Sequence, residues 1–208
     1  MIELNLENAI DILKKDGVIL YPTETFFGIG CRIGSEPAIL DIFKIKKRLL
    51  AMPLPTIASQ LEQVFQFALI NDIIKNDVID LANLFWPGPL TFILPARSFV
   101  SDILTGGTKT IAIRQSSHPI AIALANGVNE PIVSSSANIS GGTPVTEISA
   151  MHKDIMQYVA GYIDSAVKPQ GGLASTIISF LGNKNLRILR EGAINASAFL
   201  ENNFIISR

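Results

Sequence analysis

Cysteine occurs once and histidine twice in the 208 residues. One thiol, Cys31, can form no internal disulfide, so the chain relies on its core, as proteins of reducing compartments do. His118 and His152 stand far apart in sequence and, with a single cysteine, make no zinc-ligand cluster. Charge of either sign is sparse: 17 Lys and Arg face 18 Asp and Glu, for a formal net charge of -1. Proteins that grip a nucleic-acid backbone display a basic stripe. Here the one dense basic run is Lys44 to Arg48, which argues against duplex binding as the main task. Long hydrophobic runs are missing too. Pro, Gly or charge interrupts each one well before the ~18 residues that mark a membrane span. The opening stretch from Met1 to Glu7 is acidic, unlike the basic start of a signal peptide. The expectation is a cytoplasmic protein with no membrane partner.

What the chain has in abundance is apolar side chains, 48% of residues, with a mean hydropathy of +0.37. A chain of this length buries roughly 70% of its unfolded surface and needs no staples. One domain over residues 1–208 is expected. Asn5 can cap a helix over Leu6 to Lys15, with Gly17 as its stop. Val18 to Tyr21 reads as a strand and Glu36 to Lys47 as a helix with Ile39, Ile42 and Phe43 inward. Further strands are expected at Leu54–Ala58, Thr91–Pro95, Thr110–Arg114, Ile132–Ser135, Thr176–Phe180 and Leu186–Leu189. Helices are expected near residues 61–68, 73–85, 118–125 and 195–202. Strands alternating with helices, several of the strands continuous apolar runs, predict an α/β fold built on a sheet covered by helices, mostly on both faces.

Four stretches carry candidate chemistry. "YPTETFFGIGC", Tyr21 to Cys31, is either a turn that caps a strand or a site at a sheet end. If the chain stays extended, Tyr21, Thr23 and Thr25 share a face, and Gly28 and Gly30 admit a ligand or another backbone. Lys44-Ile-Lys46-Lys47-Arg48 is either a solvated helix face or a phosphate clamp. In a regular helix Lys46 and Arg48 point about 200° apart, so they converge only if the backbone leaves the helix there. "PIVSSSANISGGTP", Pro131 to Pro144, places Ser134, Ser136 and Asn138 at period two after an apolar strand. Either it is a surface loop or it is an anion pocket built from neutral donors. Arg114 closes the apolar strand Thr110–Arg114, so it must reach water or an acidic partner, or else fork onto a small carboxylate. Arg190 carries the same ambiguity. His118, before Pro119, reads as a helix start, and Cys31 as a packed small residue.

Taken in order, "YPTETFFGIG", Lys46-x-Arg48 with "MPLP", "FWPGPLTFIL", "TIAIR", "HPIAIAL", "PIVSSSANISG", "ASTII" and "ILREGAI" resemble the YrdC-like threonylcarbamoyl-adenylate synthase family. The resemblance runs from about Gly17 to Ile194. It implies an α/β fold with an open twisted mixed sheet flanked by helices and a concave central cavity, and the short type without a C-terminal domain. It also implies a reaction joining L-threonine, bicarbonate or CO2 and ATP into threonylcarbamoyl-AMP and pyrophosphate. A downstream threonylcarbamoyl-transferase complex would consume the product for tRNA modification beside the anticodon.

The implied catalytic tetrad around the ATP phosphates is Lys46, Arg48, Ser136 and Asn138, with Thr110 and Arg190 near the nucleotide. Thr23, Arg114, Ser134, Ser175 and Thr176 would surround threonine. Mg2+ would arrive bound mainly through ATP, and no protein-built metal site is expected. The chain departs from the pattern at Lys47, where many relatives have Gly, at the apolar Leu49-Leu50-Ala51, at Gly142 and at Ala174. The runner-up reading is a non-catalytic module that grips tRNA or double-stranded RNA.

Overall fold

The computed structural model describes residues 2–207. The chain runs α1 (Leu6–Lys14), β1 (Ile19–Pro22), β2 (Phe27–Gly30), α2 (Glu36–Lys46), β3 (Pro55–Ile57), α3 (Leu61–Phe67), α4 (Asp72–Phe85) and β4 (Leu90–Pro95). It continues α5 (Asp102–Thr105), β5 (Thr110–Arg114), α6 (Pro119–Gly127), β6 (Ile132–Val133), β7 (Ser135–Ser136), α7 (Lys153–Met156), β8 (Gly161–Tyr162), β9 (Thr176–Gly182), β10 (Asn185–Arg190), α8 (Ala196–Glu201) and β11 (Ile205–Ile206). Small polar side chains start the helices by accepting an orphan backbone N–H. Asn5, Ser35, Asn71 and Asn195 do so for α1, α2, α4 and α8. His118 caps α6 in the same way, through Nδ1.

The fold is mixed α/β, but the strands divide between two sheets where a single one was expected. One has the order β7-β2-β1-β8 and the other β11-β10-β9-β4-β5-β3-β6. The chain crosses from the larger sheet to the smaller within three residues. Val133 pairs with Thr56 of β3, and Ser135 pairs with Ile29 of β2. Ser134 lies at the crossing, its N–H held by the Pro55 carbonyl. The larger sheet mixes directions. β4 runs antiparallel to β5 and parallel to β9, and β3 runs parallel to β5. One apolar core includes Phe27, Ile39, Phe92 and Ile178, and a second joins α1 and α6 to the back of β1 through Leu13, Ile19 and Leu124.

Two local readings change. Asp16, at φ +63°, makes the left-handed turn after α1 that Gly17 was expected to make. Gly17 is needed for space instead, because a Cβ there would run into the Ile12 side chain. The chain also does not stay extended after Pro22. Thr23 folds it into a turn. Its Oγ1 accepts from the N–H groups of Thr25 and Phe26 and donates to the Phe26 carbonyl at 2.7 Å. β1 and β2 are therefore the arms of a hairpin. Tyr21 is fully buried and donates its hydroxyl to the Val133 carbonyl at 2.8 Å. Its ring lies over Gly28 and Gly30, where no Cβ stands between them, and a Cβ on Gly30 would also overlap the Val133 carbonyl. Gly30→Ala is expected to destabilise the fold by about 3 kcal/mol, the upper part of the usual overpacking range. Urea denaturation reads this directly, and an unchanged midpoint would show that the hairpin has room to spare.

Candidate functional site

A cavity of about 500 Å³ opens where the two sheets meet. Its floor is one face of three adjacent strands. Residues two apart on a strand share a face, and the floor takes Thr91 and Ile93 from β4, Ala112 and Arg114 from β5, and Ser175 and Ile177 from the start of β9. Ser134, Ser135 and Ser136 line it from the sheet crossing, and the hairpin turn adds Thr23, Thr25 and Phe26. The loop after α2 supplies Arg48, Ala51, Met52 and Pro53, and Arg190 closes the far side. Among the described lining residues there are three arginines and no carboxylate.

Lys46 and Arg48 part company where α2 ends. Lys47, at φ +51°, turns the backbone left-handed, a conformation that glycine takes without strain. The helix closes with Lys47 N–H on the Lys44 carbonyl (3.1 Å) and Arg48 N–H on the Phe43 carbonyl (2.9 Å). Arg48 is thereby swung to the cavity wall, where it donates to the carbonyls of Met52 and Pro53, the latter at 2.9 Å. Lys46 goes inward, 2% exposed. Its ammonium donates to the Ser136 carbonyl and, at 2.7 Å, to the Asn138 carbonyl. Lys46 therefore lies behind the serine wall, and its third N–H has no protein acceptor among the described residues. Burial first, and then the Arg48 charge, pull its pKa down to about 8. Burial also lowers that of Arg48. Asn138 faces away from the cavity as well. Its Nδ2 donates to the carbonyls of Ile139 (2.8 Å) and Gly142 (2.7 Å), which closes the Gly-rich loop. Its Oδ1 is buried without a partner among the described residues.

On the opposite side Arg114 finds an acidic partner, Glu24 at the hairpin turn. The second oxygen of Glu24 accepts from the Ser116 hydroxyl. Burial pushes the Glu24 carboxyl up, but Arg114 and these hydrogen bonds outweigh it and hold the pKa below the usual carboxylate range. Arg190 is anchored to the Ser175 carbonyl through Nε (3.2 Å) and Nη2 (2.7 Å). Burial, and then the charge of Arg114, lower its pKa, so the two guanidinium groups act on each other electrostatically. Ser175 Oγ lies 2.8 Å from Thr91 Oγ1.

The structure brings Thr23, Arg48, Arg114, Ser134, Ser136, Ser175 and Arg190 to the cavity wall. It does not bring Thr110 or Thr176 there. Thr110 shares the strand face of Ala112 and Arg114 but lies at the far end, paired with Thr108 Oγ1 at 2.8 Å. The Thr176 hydroxyl is committed to backbone. It donates to the Ile194 carbonyl and accepts from Gly192 and Ile194 N–H at 3.0 Å each, so it pins the chain after β10. Sequence reasoning passed over Thr91 and Glu24. Thr91 gave no signal beyond a strand. Glu24 did, since it lies between two threonines that already drew attention and Arg114 required an acid.

Residues 11–192 match the Sua5–YciO–YrdC family model, which carries the description telomere recombination. A threonylcarbamoyl-AMP synthase of Aliivibrio fischeri is 37% identical over 153 residues, 72% of this chain and 82% of that protein. One from Escherichia coli is 37% identical over 166 residues, 77% of this chain and 86% of that protein. Among solved structures, Sua5 of P. abyssi complexed with L-threonine superposes with a TM-score of 0.88 at 29% identity, covering 97% of this chain. The chain spans 58% of that longer protein. YciO of E. coli superposes at a TM-score of 0.77 and 25% identity, with 93% of this chain and 92% of that one covered. None of the described helices is long and apolar enough to cross a membrane. With the fold, the motif order and the extent of these matches in agreement, the chain belongs to the Sua5–YciO–YrdC family.

Proposed function

We propose that this protein is an L-threonylcarbamoyladenylate synthase, a nucleotidyltransferase that joins L-threonine, bicarbonate or CO2 and ATP into threonylcarbamoyl-AMP and pyrophosphate. One observation carries the reading: a cavity of about 500 Å³ lined, among the described residues, by three arginines, seven Ser and Thr hydroxyls and no carboxylate. Its volume falls within the ~300–1,000 Å³ of small-molecule sites. Its surplus of cations suits a polyanion, and the hydroxyls suit an amino acid beside it. In the proposed reaction the threonine amine takes up bicarbonate, with loss of water, to give a carbamate. A carbamate oxygen then attacks the α-phosphorus and pyrophosphate leaves. Such transfers need little covalent work from the protein, and positioning and charge compensation dominate.

In this reading Arg48 and Ser136 contact the phosphates, with Lys46 and Asn138 holding the serine wall behind them. Arg114 forks onto the threonine carboxylate, and Thr23, Ser134 and Ser175 complete the amino-acid side. Arg190 faces the nucleotide. Thr176 acts through the backbone it pins, and Thr110 serves only if the nucleotide extends past Ala112. No group of three or more His, Cys, Asp or Glu among the described residues is arranged to hold a metal. ATP would enter as its magnesium complex, with the ion carried mainly by phosphates and water. The product would pass to a threonylcarbamoyl-transferase complex acting on tRNA. The testing experiment is pyrophosphate release assayed with threonine and bicarbonate together and with each omitted. Release that requires both supports the reading, and release indifferent to either defeats it.

The buried lysine gives this reading a pH signature. Lys46 loses its proton near pH 8 in the ligand-free protein. The KM for ATP is expected to rise above pH 8, by up to about tenfold per pH unit as one charge disappears. Lys46→Met should abolish that slope. Stability moves the other way. A lysine in the unfolded chain titrates near 10.4, so between about pH 8 and ~10.4 the unfolded state binds the extra proton and folding is favoured as pH rises. Chemical denaturation at pH 7.5 and pH 10 measures the Lys46 part of this as the difference between wild type and Lys46→Met.

A further inference from the structure

Among the described residues, Arg114 is the one arginine of the cavity whose charge is met by a carboxylate. Glu24 and Arg114 are both mostly buried, with side chains 12% and 9% exposed. Arg114 lines the cavity while Glu24 does not, so the acid lies behind the base. Only Nη1 of the guanidinium bonds to Glu24. The group carries five N–H donors, which leaves an edge for a ligand. Glu24 is itself fixed from two further sides. Ser116, fully buried, donates to its other oxygen, and its backbone carbonyl accepts from Gln170 N–H at 3.1 Å. Among the described residues Arg48 and Arg190 have no such counter-charge, as both donate there only to carbonyl and hydroxyl oxygens.

We infer that Glu24 is a positioning and sorting residue: it aims Arg114 at the amino-acid carboxylate and offsets its charge, so that the phosphate chain goes to the uncompensated cations instead. The inference rests on the function proposed above, because it needs an amino acid and a polyphosphate in one cavity. Two anions compete for the same cations. A free guanidinium beside two others would attract a multiply charged phosphate more strongly than a single carboxylate. With Glu24 in place Arg114 still offers directed hydrogen bonds, which a carboxylate satisfies as a two-bond fork, but it adds little net charge for a polyanion to neutralise.

The test is L-threonine binding measured by calorimetry on the full chain, with and without inorganic tripolyphosphate, in wild type, Glu24→Gln and Ser116→Ala. In wild type, tripolyphosphate should leave threonine affinity within about twofold. In Glu24→Gln, which keeps the shape and loses the charge, tripolyphosphate should weaken threonine binding by about tenfold or more. Ser116→Ala keeps the charge and loosens the aim. It should weaken threonine binding by about 3- to 10-fold, the range of one lost hydrogen bond, with no new sensitivity to tripolyphosphate. The Ser116→Ala result stands even if Glu24→Gln does not fold. Wild-type sensitivity in the Gln variant, or tripolyphosphate competition already present in wild type, would overturn the sorting role. Unchanged threonine affinity in Ser116→Ala would overturn the aiming role. A wild type that binds threonine but turns nothing over would defeat the proposed reaction and leave this inference standing, whereas failure to bind threonine would defeat both.

Discussion

Arg48→Ala is expected to release pyrophosphate about 10²–10³-fold more slowly than wild type, the usual effect of deleting a charged contact to transition-state charge in a sheltered site. The loss should fall mainly on kcat, because charge moves toward the leaving pyrophosphate as the reaction proceeds. The fold should survive. Arg48 is half-buried and its protein contacts are two loop carbonyls, Met52 and Pro53, placed after α2 has already ended. Arg48→Lys is expected to recover only part of the activity, since an ammonium cannot reach both a loop carbonyl and a phosphate in one plane. Near-normal turnover in Arg48→Ala would remove this residue from the phosphate side.

Arg114→Ala should be costly in two separate ways. It strips a buried carboxylate, Glu24, of its cation. Breaking a buried pair from one side typically destabilises by ~3–5 kcal/mol, which for a chain of this size is roughly 10 °C in Tm. It also removes the proposed fork for the amino-acid carboxylate, so the threonine KM should rise about 10- to 100-fold while the ATP KM moves by less than about threefold. The two effects separate in a second variant. Adding Glu24→Gln to Arg114→Ala is expected to restore part of the stability, because no charge is then buried alone, and none of the threonine affinity. Equal changes in the threonine and ATP requirements would show that Arg114 is not a carboxylate site.

Most of the elements are visible in the sequence because period and caps agree. Asn5, Ser35, Asn71, His118 and Asn195 each precede an apolar pattern and each accepts one of the free N–H groups in the first turn of a helix. β2 escaped because Phe-Gly-Ile-Gly has no strand alternation to read. Its glycines are there for the Tyr21 ring, a contact between hairpin arms that single-residue propensity does not carry. β8 and β11 have two residues each, too few for any period, and α5 and α7 are single turns.

Two sheets in place of one follow from the crossing at Ser134, where Ile132 and Val133 belong to one sheet and Ser135 and Ser136 to the other. A continuous strand and a strand that changes sheets look alike in sequence. At the cavity, residue types pointed to the right stretches but not to the direction of each side chain. The left-handed φ of Lys47 decides that Arg48 reaches the cavity wall while Lys46 sits behind it. The hydrogen bonds of the Thr176 hydroxyl are made with residues 16 and 18 positions away, which no local pattern reveals.

The measurement closest to the central claim is a crystal structure of this protein with L-threonine and a non-hydrolysable ATP analogue together. Phosphate oxygens are expected within hydrogen-bond distance of Arg48 and the Ser136 region, and the threonine carboxylate on the free edge of Arg114, with Glu24 still in place behind it. Phosphates seated on Arg114, or the two ligands bound outside the hollow between the sheets, would contradict it.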